Sequence, residues 1–378
     1  MNAIGIILAG GKGDRLGALT QHRTASALPV GSGYRAIDFP ISNMTNAGIK
    51  KIAIITQYNS RSLQDHLSSA KWWNLGRKQG GLFVLAPYIS DDKPLWFRGT
   101  ADSIYQNISF LKRSKEEYVV ISSGNCIYKM DFSKMLQAHK DTGADITIAY
   151  RKVEGLDAKR QYGFLEMDEN GHMLDFEEKP LDPKSNTASI GVYIIRRDLL
   201  INKMEELAKE GRYDLVRDLF SRYRARLNIY GYHFDGYWRN IGNIKSYFNC
   251  NMEFLRSDIR KTFTTGDDVI YTKPKDEPPA KFNGEAKIAN SLVSSGSIFD
   301  GEVTNSIIFR SVRVGVGSKL ENSIVMEGTE VGNSCTIKYA ILDKDVKVKE
   351  GTTLIGRPDH LVVVGKGEVV SANIDYSH

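Results

Sequence analysis

Residues 4–40 read IGIILAGGKGDRLGALTQHRTASALPVGSGYRAIDFP. The apolar run 4–8 predicts a short buried β-strand. It breaks into Gly10, Gly11 and Gly13 and then reaches Arg15. A strand that ends in such a loop can bring bare backbone N–H groups close to a phosphate, because no Cβ stands in the way. Arg15 adds a permanently charged fork suited to phosphate oxygens. The glycines alone fit a tight structural turn as well as a phosphate cradle. A second pair, Glu178 and Lys179 before Pro180, reads in isolation as a solvated strand end.

The elements around these residues are legible from periodicity. Short apolar runs at 52–56 (IAIIT), 118–122 (YVVIS) and 146–150 (ITIAY) predict buried strands. Amphipathic spans at 102–113 and 133–142 lie between them. Strands alternating with helices predict an α/β layer with a mostly parallel sheet, whose ligands gather at the carboxyl ends of the strands. Gly10 and Gly124 both fall at such ends. From 261 to 285 Thr-rich and charged residues lead into Pro274, Pro278 and Pro279, which reads as an inter-domain connection.

Beyond it the pattern repeats. Asn290-Ser291-Leu292-Val293 recurs at Asn305-Ser306-Ile307-Ile308, at Asn322-Ser323-Ile324-Val325 and at Tyr339-Ala340-Ile341-Leu342. Between these repeats apolar residues fall about six apart, as at Val325, Val331 and Ile337. Three short strands to a coil at that period predict a hexapeptide β-helix, in which each coil buries its apolar edge on the next. The predicted division is residues 1–255 for the α/β domain, 256–285 for the connection and 286–378 for the β-helix.

Composition bounds the function. A chain of 378 residues with a net charge of +6 can bury a large core and suits anionic small molecules. No Lys/Arg block of five or more marks a nucleic-acid tail. The three cysteines, Cys126, Cys250 and Cys335, show no metal spacing and read as reduced thiols. No apolar run approaches the length of a bilayer span, and the N-terminal run is too short for a signal peptide. A cytoplasmic protein without nucleic-acid or membrane partners is expected.

The first stretch resembles the signature of sugar-1-phosphate nucleotidyltransferases, LAGG-x-G-x-R-L-x-x-L-T, and the Y-R-x-I-D-F-x-x-S-N of their ADP-glucose pyrophosphorylase branch. Leu8, Ala9, Gly10, Gly11, Gly13, Arg15, Leu16, Leu19 and Thr20 fit the first. Tyr34, Arg35, Ile37, Asp38, Phe39, Ser42 and Asn43 fit the second. Further matches follow in order along nearly the whole chain: Thr56-Gln57-Tyr58, Arg98-Gly99-Thr100-Ala101-Asp102, Tyr162-Gly163-Phe164, Glu177-Glu178-Lys179-Pro180, Ala188-Ser189-Ile190-Gly191 and Tyr237-Trp238-Arg239-Asn240-Ile241-Gly242. The resemblance implies a Rossmann-like nucleotidyltransferase domain followed by a left-handed parallel β-helix. It implies nucleotide contacts at Leu8, Ala9, Gly10, Gly11, Arg15, Gln57, Gly99 and Thr100. It implies glucose 1-phosphate contacts at Gly163, Glu178, Lys179 and Ser189.

In active members ATP and glucose 1-phosphate react through Mg²⁺, a hard ion that prefers carboxylate and phosphate oxygens. The family supplies two aspartates for it, in S-G-D-H-x-Y-x-M-D and Y-W-x-D-[IV]-G. Here both positions are asparagine, Asn125 and Asn240. Asparagine keeps a carbonyl acceptor and loses the charge. The lysine that would face the phosphates is Ala25, the histidine after the first aspartate is Cys126, and the tyrosine before R-G-T-A-D is Phe97. No catalytic residue, metal site or tightly bound cofactor is therefore expected in this chain, the Mg²⁺ belonging to a catalytic partner. The resemblance then implies a regulatory, catalytically deficient subunit in bacterial glycogen biosynthesis. It would join a catalytic ADP-glucose pyrophosphorylase subunit in a hetero-oligomer, expected to be a tetramer, with ATP, ADP-glucose or glucose 1-phosphate as candidate ligands. Two other readings stay open: an active glucose-1-phosphate adenylyltransferase, and a nucleotide or sugar-phosphate sensor with no catalytic partner.

Overall fold

The computed structural model describes residues 1–76, 80–88, 96–153 and 162–377. The run that precedes the glycine loop forms the strand Ala3–Leu8, buried along nearly its whole length, as its unbroken apolar sequence requires. It is central. Lys51–Ile55 lies parallel on one side and Tyr118–Ser123 parallel on the other, with Leu8 opposite Ile55 and Ser123. Gly81–Leu85 adds a further parallel strand at the edge. The chain therefore leaves three adjacent strands on one side of the sheet, where Gly10, Gln57 and Asn125 follow.

The other half of the nine-stranded sheet is mixed. Thr187–Arg196 runs antiparallel to Tyr118–Ser123 and to Ile146–Lys152, and the hairpin Gly163–Met167 and Met173–Glu178 extends it. The register of Thr187–Arg196 breaks between Ser189 and Tyr193, where Gly191 takes φ +76°. Such a bulge re-aims the strand locally. The amphipathic span 102–113 divides into helices Thr100–Gln106 and Ile108–Lys112, because Asn107 leaves helical geometry and its side-chain amide donates to the Ser103 carbonyl at 2.8 Å. The second span forms the single helix Phe132–Asp141.

The C-terminal strands build a left-handed β-helix of three parallel sheets. The four recurring repeats stack in one sheet, Leu292 on Ile307, Ile307 on Ile324 and Ile324 on Ile341. The residue types of the repeat have separate physical uses. Asn290, Asn305 and Asn322 turn the corner with φ of +42°, +47° and +48°, a region asparagine tolerates better than most residues. Each following serine hydroxyl then accepts a backbone N–H from the next coil: Ser291 from Ser306, Ser306 from Ser323 and Ser323 from Ala340, at 3.1, 3.1 and 3.2 Å.

The two domains share a core. Leu16, Phe39, Ile241, Tyr247 and Phe254 pack in one apolar cluster with Ile307, Phe309, Ile324, Met326 and Ile341 of the β-helix. The helix Ser257–Thr264 inserts Phe263 there, stacked on Phe254 at 5.5 Å and edge-on to Phe39 at 5.1 Å. The extended segment after it is fastened to the first domain, the Tyr271 N–H donating to the Ser42 hydroxyl at 2.9 Å and the Thr272 hydroxyl to the Asp38 carboxylate at 2.6 Å. An ion pair crosses the seam, and an ionic cluster at Glu327 ties the β-helix to the connecting segment. Arg23 Nη1 reaches both carboxylate oxygens of Asp343 at 2.7 and 2.9 Å, with the side chains 3% and 1% exposed. The Glu327 carboxylate receives Lys275 and Lys344 at 2.6 Å each, with Arg310 at 3.8 Å. Among the described residues no helix is long and apolar enough to cross a membrane.

Candidate nucleotide and sugar-phosphate site

A cavity of about 750 Å³ opens where the three parallel strands end. Every candidate site residue lines it. Leu8, Ala9, Gly10, Gly11 and Arg15 form the first wall, with Gln57, Gly99 and Thr100 beside them. Gly163, Glu178, Lys179 and Ser189 form the opposite wall. Ala25, Asn125 and Asn240 lie on the surface between.

The first wall is held by its own backbone. The Ala9 N–H continues the sheet to the Ile55 carbonyl at 2.8 Å, and the Ala9 carbonyl accepts the hydroxyls of Thr24 and Thr56 at 3.0 and 3.3 Å. Gly124 donates to the Leu8 carbonyl at 2.9 Å, and a Cβ at Gly124 would sit 2.6 Å from the Ser26 hydroxyl. Only glycine allows that approach. Gln57 is a positioning residue, since its side-chain oxygen accepts the Phe97 N–H and its nitrogen donates to the Phe97 carbonyl. Gly99 passes so close to Tyr213 that a Cβ would lie 2.4 Å from the Tyr213 carbonyl oxygen. The Thr100 hydroxyl accepts the Leu215 N–H at 2.8 Å. Arg98 is occupied by Asp102 at 2.8 Å and lies 3.8 Å from the centre of the Tyr213 ring. Burial acts to raise the Asp102 carboxyl, and the hydrogen bonds from Arg98 and Gln106 overcome it and hold it below its ordinary range.

On the opposite wall, Glu178 ends its strand opposite Gly163, where a side chain would strike the Phe176 ring at 2.2 Å. Lys179 turns out of the strand with φ +49°, its N–H held by the Tyr162 carbonyl at 3.0 Å. A non-glycine residue in that region costs on the order of 1 kcal/mol. The turn carries the Lys179 ammonium back to Glu178 Oε1 at 2.6 Å, both side chains remaining accessible from the cavity. The Ser189 hydroxyl accepts the Gly191 N–H at 3.3 Å, at the bulge.

The two asparagines, 115 residues apart, are brought together by the short antiparallel pair Cys126–Tyr128 and Trp238–Asn240, in which Cys126 faces Asn240. They bind each other. Asn125 Nδ2 donates to Asn240 Oδ1 at 3.3 Å, while Asn125 Oδ1 accepts the Ser123 hydroxyl at 2.7 Å. A cradle for Mg²⁺ needs converging anionic oxygens. Here both side-chain carbonyls already accept protons from neighbours, neither carries charge, and among the described residues no group of three or more His, Cys, Asp or Glu gathers. The residues do not fit the ion. Ala25 adds only a methyl group to the lining. Cys126 is 1% exposed, and burial pushes its thiol up to about 12, which disfavours the thiolate that would ligate a metal or attack a substrate.

Two features escaped sequence reasoning. Leu215 and Val216 close part of the cavity, and their only signal was an apolar pair inside the charged segment 212–217. The mutual hydrogen bond of the asparagines had no local signal, because it joins two loops far apart in the chain.

Residues 4–257 match the family model described as nucleotidyl transferase, and residues 278–360 match the GlmU-like C-terminal hexapeptide model. The glucose-1-phosphate adenylyltransferases of Bacillus thuringiensis subsp. konkukian and Bacillus anthracis are each 37% identical to this chain over 372 residues, spanning 97% of it and 98% of the relative. That of Bacillus mycoides (strain KBAB4) is 36% identical over the same span.

Proposed function

The chain belongs to the glucose-1-phosphate adenylyltransferase family, and on that premise we propose that it is a regulatory, catalytically deficient subunit of ADP-glucose pyrophosphorylase in bacterial glycogen biosynthesis. The hydrogen-bonded Asn125–Asn240 pair carries the reading. Adenylyl transfer concentrates negative charge as pyrophosphate leaves, and a protein catalyses it by neutralising that charge in place. Two carboxylates side by side repel unless a cation or a shared proton lies between them, whereas two amides satisfy each other without either. With Ala25 in place of a lysine, the centre of the cavity loses the charges that chemistry draws on while the walls that shape it stay complete.

Such a subunit acts through its neighbours. It resides in the cytoplasm and joins a catalytic homologue in a hetero-oligomer, a tetramer in the simplest arrangement. It raises that homologue's turnover or sets its effector response by biasing a shared conformational equilibrium. The buried Arg23–Asp343 pair supplies a route, since Arg23 lies two residues from Ala25 on the cavity loop and Asp343 belongs to the β-helix.

The test is a pyrophosphorylase assay with ATP, glucose 1-phosphate and Mg²⁺, on the purified chain and on the chain co-expressed with a catalytic homologue. The expected result is a near-zero rate alone and a raised rate in the mixture. Substantial turnover by the chain alone would refute it. That outcome is the second reading, an active adenylyltransferase, which the 37% identity to such enzymes over 97% of the chain favours.

A further inference from the structure

We infer that Glu327 is a built-in anion: its carboxylate fills a basic pocket where the two domains meet and keeps free phosphate out, so that this junction holds its arrangement with no ligand bound. The assignment is independent of whether the chain catalyses adenylyl transfer.

The pocket shares no lining residue with the large cavity. The first domain, the connecting segment and the β-helix each give it a wall, and five Lys and Arg side chains line it: Arg35, Lys273, Lys275, Arg310 and Lys344. Among the described residues Glu327 is the one carboxylate in that lining. Asp38, which accepts the Arg35 N–H, is already engaged by His66 at 2.6 Å. The Arg35 and Lys273 side chains donate to neutral groups, the Ser62 carbonyl at 2.7 Å and the Asp65 carbonyl at 3.1 Å, which cancel no charge.

The coil register puts Glu327 at the centre. Arg310, Glu327 and Lys344 stand two residues beyond Ile308, Val325 and Leu342, which stack coil on coil. A carboxylate therefore lies between a guanidinium one coil before it and an ammonium one coil after it. Lys344 and Lys275 reach it at 2.6 Å and Arg310 at 3.8 Å. Arg310 Nε is buried with no hydrogen-bond partner among the described residues. One carboxylate thus serves three cations, and burial pushes the Lys344 ammonium down to about 8 against the pull of Glu327. With Glu327 in place the free volume is about 30 Å³, room for water and too little for a phosphate. Without its charge, Lys275, Arg310 and Lys344 face one another uncompensated. Cations partly buried in that state push apart or draw an anion from solution. A guanidinium fork beside two ammonium groups is a set of donors that a phosphate satisfies.

Differential scanning calorimetry of the full-length chain and of Glu327→Gln, in phosphate and in chloride of matched ionic strength at neutral pH, tests this. In chloride the variant should melt below wild type. Phosphate should raise the variant by at least ~3 °C more than it raises wild type, and adding Lys344→Met to Glu327→Gln should remove that excess. A shift of equal size in both proteins belongs to other sites and would overturn the inference, as would a variant indifferent to phosphate. Acetylation of Lys275 and Lys344, read by mass spectrometry, decides on wild type alone if the variant fails to fold. Phosphate should leave their labelling unchanged, and protection by phosphate would show that the pocket admits the anion beside Glu327.

Discussion

Returning the two carboxylates, Asn125→Asp with Asn240→Asp, sets a measurable conflict in the folded protein. The amide nitrogen and oxygen now lie 3.3 Å apart. Two carboxylates in their place would stand roughly 4 Å apart, and unit charges at that distance repel by ~1 kcal/mol in water and ~4 kcal/mol at an effective dielectric constant near 20. Both side chains are half-buried, so the cost falls between those limits. Loss of the amide hydrogen bond adds about 1 kcal/mol. At roughly 2–4 °C per kcal/mol for a large domain, the variant should melt on the order of 10 °C below wild type in EDTA. Mg²⁺ binds the folded variant and should return most of that loss by mass action. Wild type should melt at the same temperature in both buffers. Differential scanning calorimetry in EDTA and in Mg²⁺ reads all four values. A wild type that Mg²⁺ stabilises as much as the variant would show that the amide pair holds the ion after all. A variant indifferent to the buffer would show that the two side chains do not share a site.

Asp343→Ala strands the buried Arg23 guanidinium and should cost about 3–5 kcal/mol in urea unfolding, whereas Arg23→Met with Asp343→Leu should cost much less; equal losses would refute the pairing. At Glu327 burial acts to raise the carboxyl, but Lys344 and Lys275 outweigh it and hold the group down to about 2 from its ordinary 4.5. Its stabilisation is therefore complete above pH 4.5 and lost as pH falls toward 2, and Glu327→Gln should flatten that part of an acid-unfolding profile. An unchanged profile would place the acid sensitivity elsewhere. Lys179→Gly should be more stable than Lys179→Ala, because φ +49° suits glycine, while both lose any thermal shift caused by glucose 1-phosphate. Retention of that shift in either would remove Lys179 from the sugar-phosphate site.

The β-helix was the most legible part of the chain. Asparagine at the corner and serine on the next coil's amide are a local solution repeated coil after coil, so the register shows directly as a recurring Asn-Ser-apolar-apolar pattern. In the glycine loop the requirement for glycine is conformational, Gly13 taking φ +76°, whereas at Gly99 and Gly124 it is the close approach of neighbouring atoms. The mixed half of the sheet was less legible, because a buried strand reads alike whether its neighbour is parallel or antiparallel. The helix break at Asn107 depended on one side-chain amide finding a carbonyl a turn earlier. Gln57 illustrates a different limit. The resemblance implies it as a nucleotide contact, and in the fold it lines the cavity with its amide used to hold Phe97, which only the folded geometry reveals. Asp343 follows an apolar triplet and no local pattern marks it as buried, yet it is among the least exposed of the described carboxylates, because Arg23 meets it from 320 residues away.

That long-range pair bears on how chains of this kind can be recombined. A crossover in the extended segment after Phe263 looks like a clean joint between two modules. It would separate Arg23 from Asp343 and divide the apolar cluster that Phe263 joins, to which the β-helix contributes Ile307, Phe309 and Ile324. A β-helix grafted from a relative lacking the aspartate leaves an arginine buried without its counter-charge, directly behind the loop that shapes the cavity. Viable chimeras are those that inherit both ends of the pair, so the domains must be exchanged as a matched set.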